Sequence, residues 1–337
     1  MSALLTTIKK FDQNSLTKQE KIVNGVTTCI RDRMLSYGDI LPSVNELSTS
    51  LGFARETVVK AYGELKNRGL VNSKQGLGYF VANETADQKL SIALVLYGFQ
   101  TFQQDFYNKF RKCLGDQYHI DVFFHHNNIH VYEYILNSVS NKYGMYVVAP
   151  IQSEEAQALL SRFPDDKLLI IDRYQNLGEK VSCIAQEFEH SLSSVFESLL
   201  PHIQKFSQVI LYFKEGLDYP KGIFYAVTDF CDVFDIPLLV YEEFDEQHMK
   251  PDQLFFTVGD TDLWQVLKAS NAKDYEPGRD IGILSHNDSP VKEIIAGGIT
   301  TFSTNFNLMA EKAAAFILSR NHTNMIIPSE LIRRKSL

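Results

Sequence analysis

The chemically suggestive residues of this chain fall into a few separate groups. His125, His126 and His130 include an i, i+4 pair, which would hold a metal if the stretch were helical. It follows the strand-like Val122-Phe123-Phe124, so a strand-end loop is expected there and no metal site. Asp172-Arg173 offers an acid beside an anion clamp, but no Ser or Cys nucleophile motif and no paired-carboxylate signature accompanies it. Catalysis has no visible machinery, and no cofactor is implied. Cys29, Cys113, Cys183 and Cys231 lie far apart without a Cys-x-x-Cys pair, so the expectation is four reduced thiols inside core strands and helices. The more informative group comes earlier. Arg55, Glu56, Thr57, Val59 and Lys60 cluster at the start of a helical pattern whose other face is Val58, Ala61, Tyr62 and Leu65, spaced i, i+3, i+4, i+7. The amides at such a helix start attract phosphate, and side chains there can enter a major groove.

Three short helices must position that face. Thr17 with Glu20, and Ser43 with Glu46, have the spacing of capping boxes, each ahead of an apolar periodic run. The first helix is expected to include Leu35 and end near Gly38; the second is about two turns and ends at Gly52. After Gly52-Phe53-Ala54 the third runs to Gly69, so helices two and three form a helix-turn-helix. Leu70-Val71 and Tyr79-Phe80-Val81 read as strands around the tip Lys74-Gln75-Gly76-Leu77-Gly78. That Gly-x-Gly sits between strands, where small residues permit close backbone approach, and not ahead of a helix as in a nucleotide loop.

The chain has 337 residues, 45% apolar, with 33 Lys plus Arg against 41 Asp plus Glu. That is enough for two or three domains and excludes disorder and fibre. No apolar run reaches the roughly 20 residues of a membrane span, and residues 1–11 lack the apolar core of a secretion signal, so a cytoplasmic location is expected. Charge is uneven: residues 1–85 hold 11 basic and 8 acidic side chains, residues 86–337 hold 22 and 33. A small polyanion-binding head on an acidic body fits that split. The aperiodic polar stretch 83–89 is the expected linker, separating a head at 1–82 from a body at 90–337. In the body, strand-like runs at 92–96, 120–124, 145–148, 168–171, 209–213, 237–240, 255–258 and 281–284 alternate with amphipathic stretches such as 102–114, 131–139 and 192–200. The fold class expected is α/β: a winged helix-turn-helix, then a two-lobed parallel α/β domain with a cleft at the strands' carboxyl ends.

The residues Gly38-Asp39-Ile40-Leu41-Pro42-Ser43, Glu46-Leu47, Leu51-Gly52, Arg55, Thr57-Val58, Ala61-Tyr62, Leu65, Gly69-Leu70 and Gln75-Gly76-x-Gly78-x-Phe80-Val81 resemble the GntR-family DNA-binding domain over about residues 15–82. The resemblance implies contacts to double-stranded DNA from Ser43, Asn45, Arg55, Glu56, Thr57 and Lys60 and, in the wing, from Gln75 and Gly76. Asn45 stands where the family usually has Arg, Ala54 replaces a capping Ser or Asn, and Val59 replaces a second recognition-helix Arg. These departures bear on base preference more than on binding itself.

In the body, Ile92-Ala-Leu-Val-Leu96, Leu168-Leu-Ile-Ile-Asp-Arg173, Asp280-Ile-Gly-Ile-Leu-Ser-His-Asn-Asp-Ser-Pro290, Ile299-Thr-Thr301 and Ile327-Pro-Ser-Glu-Leu-Ile-Arg-Arg334 resemble the ligand-sensing domain of the lactose-repressor family, itself similar to periplasmic sugar-binding proteins. A GntR-type head on such a body resembles the arabinose-repressor subfamily. By that resemblance the ligand-facing residues are Phe102, Gln103, Asp172, Tyr219, Lys221, Asp260 and Asn287. Tyr219 stands where the family usually has Arg, Gly259 replaces a usual Asn, and Asn287 a usual Asp. The resemblance implies a sugar-responsive transcriptional regulator, a repressor, that binds a two-fold operator as a homodimer. A pyridoxal-phosphate aminotransferase-like body on the same head would need a longer chain with a Schiff-base lysine, and the tail at 327–334 argues against it. An all-helical acid-sensing body conflicts with the strand-rich middle.

Overall fold

The computed structural model describes residues 2–11, 16–82, 90–98, 100–140, 142–214 and 219–337; the expected linker at 83–89 lies outside them. Residues 2–82 form α1 (Ser2–Lys10), α2 (Lys18–Arg31), α3 (Val44–Leu51), α4 (Arg55–Asn67) and the hairpin β1 (Val71–Lys74) and β2 (Gly78–Val81). Both capping boxes are present: Glu20 N–H donates to Thr17 Oγ1 and Thr17 N–H to Glu20 Oε2, and Ser43 and Glu46 exchange the same pair of bonds. Helix α2 is shorter than expected. At Arg33 the backbone turns left-handed, with φ 54°, and the amides of Met34 and Leu35 both fold back onto Cys29 O at 2.8 and 3.1 Å. Leu35 packs on the core from this turn, which gave it a place in the helical pattern without a place in the helix. Helix α1 was not anticipated. Its Leu4 and Ile8 are buried on α2, where a Cβ at Gly25 would sit 2.4 Å from Ile8 Cγ1, so only glycine permits that approach.

From residue 90 the chain alternates β3 (Leu90–Leu96), α5 (Thr101–Leu114), β4 (Tyr118–Phe124), α6 (Ile129–Val139), β5 (Met145–Val148), α7 (Glu154–Leu160), β6 (Leu168–Asp172) and β7 (Ser182–Glu187). It then forms α8 (Glu189–Ile203), β8 (Gln208–Tyr212), α9 (Lys221–Val233), β9 (Leu238–Tyr241), β10 (Gln253–Thr257), α10 (Asp260–Ala272), β11 (Gly282–His286), α11 (Pro290–Ile294), β12 (Thr300–Thr304), α12 (Phe306–Ser319) and β13 (Asn324–Ile332). One lobe orders its strands β4-β3-β5-β6-β7, the other β12-β11-β10-β8-β9, all parallel within each lobe. The alternation of each strand explains the layers. Ile92, Leu94 and Leu96 face α5 and α12 in one apolar cluster, while Ala93 and Val95 face α6 and α7 in another.

Strand β13 joins the lobes: its first half runs parallel to β7 and its second half antiparallel to β12. The chain passes between lobes after β7, after β12 and within β13, and buried polar side chains tie the three crossings together. Thr304 Oγ1 donates to Gln186 Oε1 at 2.7 Å and lies 3.1 Å from Ser329 Oγ, while the Gln186 amide donates to Asp172. Cys29, Cys183 and Cys231 are buried as expected, but Cys113 is exposed. On α5 the inward residues are Gln103, Phe106, Phe110 and Leu114, and position 113, in the last turn, flanks that stripe and is exposed.

Candidate nucleic-acid interface and ligand cleft

The start of α4 is held from behind. Tyr62 is fully buried, donates its hydroxyl to Pro42 O at 2.7 Å and packs on Tyr79 of the wing with ring centroids 4.6 Å apart. Residues 38–41 add a short edge to β2 through Gly38 N–H to Val81 O and Leu41 N–H to Tyr79 O, both 2.8 Å. With Val58, Ala61, Tyr62 and Leu65 inward, Arg55, Glu56, Val59 and Lys60 are exposed and Thr57 is half-buried. Ala54 gives α4 no side-chain cap, so its first amides remain available to an anion. Glu56 pairs with Lys60 at 2.9 Å, and Asp39 accepts from Ser36 N–H, so both acids have partners other than Arg55. Asn45 and Ser43 are exposed on and before α3, the Ser43 hydroxyl being spent on its cap. Lys74, Gln75 and Gly76 are exposed at the wing tip, where φ values of 82° and 85° at Gly76 and Gly78 require glycine.

The cleft gathers strand carboxyl ends from both lobes, the position in which open α/β sheets bind ligands. The first lobe contributes Tyr97, Gln100, Thr101 and Phe102 after β3, Arg173 after β6 and Gln186 at the end of β7. The second contributes Tyr219 and Pro220 ahead of α9, 258–261 after β10, and His286, Asn287, Asp288, Ser289 and Lys292 after β11. The cleft is partly open to solvent and has a volume of about 260 Å³. At roughly 30 Å³ of liquid per water molecule that is room for about nine waters.

Its second-lobe wall is built around Lys292. The side chain is only 1% exposed, and its ammonium donates to Ser285 Oγ (3.0 Å), His286 O (2.8 Å) and Asn287 O (2.8 Å) and meets Asp260 Oδ1 at 2.7 Å. Burial pushes its pKa down while Asp260 opposes the shift. Held by four acceptors, this lysine serves as a charged strut between β11 and the start of α10. Beside it His286 is buried, stacked on Phe302, and its pKa is driven well below the ordinary value by burial and by Lys292 and Arg173, so the imidazole is neutral. Asp288 sits in a fork of Arg334. Burial raises its pKa, but the bonds from Arg334 and Thr301 outweigh that and hold it below the usual carboxylate range. Arg173 lies over the Phe188 ring at 5.0 Å and 3.8 Å from Asp172. Burial, with the nearby Asp262, Tyr97 and Asp260, pushes the Tyr219 hydroxyl up to about 12, so it is a neutral donor.

Of the residues expected to face a ligand, the structure brings Phe102, Tyr219, Asp260 and Asn287 to the cleft. Phe102 stacks on Phe306 at 4.5 Å. Gln103 is instead buried beneath the loop, its Oε1 accepting from Gly98 N–H at 3.0 Å. Asp172 is turned inward to Gln186, and its neighbour Arg173 reaches the cleft. Lys221 opens α9 on the far side and lines a separate surface pocket with Phe213, Phe224, Tyr225, Val240 and Glu242. The two departures Tyr219 and Gly259 belong together: a Cβ at Gly259 would lie 2.1 Å from the Tyr219 hydroxyl, so the tyrosine occupies the space a side chain at 259 would need. Gln186, His286 and Lys292 were not anticipated, since Ser182-Cys-Ile-Ala-Gln-Glu187 has little apolar alternation and a lone lysine in an exposed-looking helix gives no sign of burial. Residues 125–128 form a loop as expected, with His125 buried against Ala149 O at 3.1 Å and His126 and Asn127 left-handed, while His130 lies in the first turn of α6.

Residues 18–81 match the family described as bacterial regulatory proteins, gntR family. The fold of the larger part is similar to solved structures of low identity. A periplasmic binding protein/LacI transcriptional regulator from Alkaliphilus metalliredigens, complexed with D-xylulofuranose, is 12% identical with a TM-score of 0.58, covering 73% of this chain and 98% of that one. The trehalose repressor from Escherichia coli gives 12%, 0.62, 73% and 100%. The lactose repressor bound to the anti-inducer ONPF gives 14%, 0.63, 73% and 99%. Residues 18–81 are therefore a gntR-family DNA-binding domain, joined to a C-terminal part with the fold of lactose-repressor-type regulators.

Proposed function

We propose that the protein is a cytoplasmic transcriptional repressor whose operator affinity is set by a small sugar in the cleft. The observation that carries this reading is the cleft itself. Donors and acceptors from both lobes converge there, at strand carboxyl ends, in a chain that opens with a gntR-type head. The similar structures agree with it, two being repressors and one a regulator complexed with D-xylulofuranose. In this reading 1–82 is the head, 83–89 the linker and 90–337 the sensor and dimerisation part. Arg55, Thr57, Gln75 and Gly76 meet bases or phosphates, Ser43, Asn45 and Lys60 flank them, and Phe102, Arg173, Gln186, Tyr219, Asp260 and Asn287 meet the sugar.

The mechanism is linkage. A ligand touching both lobes favours the closed cleft, the buried Gln186–Thr304–Ser329 cluster lies where the lobes must pivot, and each closure state of a homodimer gives its two heads a different spacing. A two-fold operator reads that spacing. Duplexes enriched from a random pool by the full-length protein supply the operator. They should share an inverted repeat, and a monosaccharide panel should change their retention. Enrichment of no sequence would refute the DNA-binding reading, and indifference to every sugar would refute the sensor.

A further inference from the structure

We propose that the cleft takes an uncharged, hydroxyl-rich ligand of single-ring size and discriminates against phosphorylated or carboxylated counterparts. This rests on the sensor reading above and narrows its ligand class. Among the described residues the cleft is lined by two cations, Arg173 and Lys292, and two anions, Asp260 and Asp288. Each has its counter-charge built into the protein. Lys292 meets Asp260 at 2.7 Å, Asp288 meets Arg334 at 2.7 Å, and Arg173 stands 3.8 Å from Asp172.

The neighbouring imidazole of His286 adds no charge, and the Tyr219 hydroxyl adds none. An entering phosphate or carboxylate therefore loses its water without gaining an uncompensated cation, and it approaches the partly exposed Asp260. Sugar hydroxyls bring no charge and can both donate and accept. They suit a wall that offers Asp260 as acceptor, Arg173 as donor, and the amides of Gln100, Gln186 and Asn287. A volume of about 260 Å³ suits one sugar ring.

The pair that decides the charge is Lys292 with Asp260. Lys292 lines the cleft with a side chain only 1% exposed whereas Asp260 is 40% exposed, so the carboxylate is what a ligand chiefly meets and the ammonium is what it cancels. Removing the carboxylate alone leaves a buried cation facing the cleft and turns discrimination toward anions.

The test uses the full chain, as wild type, Asp260→Asn and the double variant Asp260→Asn with Lys292→Met. Each is titrated calorimetrically with neutral pentoses and hexoses and with their phosphates and uronic acids. The wild type should bind a neutral sugar at least tenfold more tightly than its charged counterpart, a difference of about 1.4 kcal/mol. Asp260→Asn should shrink that ratio by tenfold or more, and the double variant, again neutral, should restore it. A wild-type ratio under tenfold or reversed would overturn this inference and leave the sensor reading standing, as would a ratio unchanged in Asp260→Asn. Failure of every neutral and charged sugar to bind would remove the sensor reading and this inference with it.

Discussion

Arg334 and Asp288, 46 residues apart, are joined by a two-pronged fork, Nη1 to Oδ1 at 2.7 Å and Nη2 to Oδ2 at 2.8 Å. Arg334 also donates to Ile299 O, so the segment after β13, the residue ahead of β12 and the cleft loop share one clasp. With side chains 14% and 24% exposed, the pair is more than a surface contact but not fully buried. Arg334→Met should cost about 2 kcal/mol of stability, below the 3–5 of fully buried pairs broken on one side. A double-mutant cycle with Asp288→Asn, read by urea denaturation, should give a coupling above 1 kcal/mol. Additive losses would mean the fork is incidental.

Gly259→Ala should weaken sugar binding roughly tenfold or more without harming the fold, because the new methyl claims the space of the Tyr219 hydroxyl. Backbone strain is not involved, since φ at 259 is -99°. Adding Tyr219→Phe relieves the clash but should not restore the hydrogen bond lost to the sugar. Calorimetry in which Gly259→Ala binds like wild type would show that Tyr219 does not set the wall.

Acid should destabilise the body in the range where histidines normally charge. Burial holds His125 down to about 4 from its ordinary 6.5, and its partners, Ala149 O at Nε2 and the Asn127 N–H at Nδ1, fit only the neutral ring. Below pH 6.5 the unfolded chain takes up a proton that the folded chain refuses. Stability is therefore complete above 6.5 and falls as pH drops toward 4, by on the order of 3 kcal/mol for this group. His286 acts in the same direction. His125→Gln should flatten the slope of urea-derived stability between pH 7 and 4.5; an unchanged slope would assign the loss elsewhere.

At the head, Arg55→Ala should cost about 1–3 kcal/mol of operator affinity with the fold and the cleft unaffected. Glu56→Gln should do the reverse. It frees Lys60 from its 2.9 Å partner for phosphate, tightening all duplexes alike and steepening the salt dependence by about one ion. Anisotropy at several salt concentrations separates the two effects. Equal salt slopes for wild type and Glu56→Gln would exclude Lys60 from the backbone contacts.

The head was legible because its signals are local: capping boxes, period and terminal glycines all lie within a turn or two of what they control. The strands with apolar runs were legible for the same reason. Strands β7 and β12 were not, because Ser182, Gln186, Thr300, Thr301 and Thr304 are polar and still buried, satisfied by partners far away in sequence such as Ser329 and Arg334. Lys292 was hidden for the same reason, its four acceptors coming from β11, the loop after it and α10. Gln103 and Lys221 were placed one step from the cleft by loops whose direction depends on tertiary packing, while Arg173 took the place expected of Asp172.

The central claim is a coupling between cleft and head, and linkage makes it measurable from both ends. Operator affinity of the full-length protein is measured by anisotropy with and without a saturating sugar, and sugar affinity by calorimetry with and without saturating operator. The account predicts that both affinities change, by the same factor and in the same direction, at least about fivefold. A protein that binds both its operator and its sugar, with neither affinity altered by the other ligand, would contradict it.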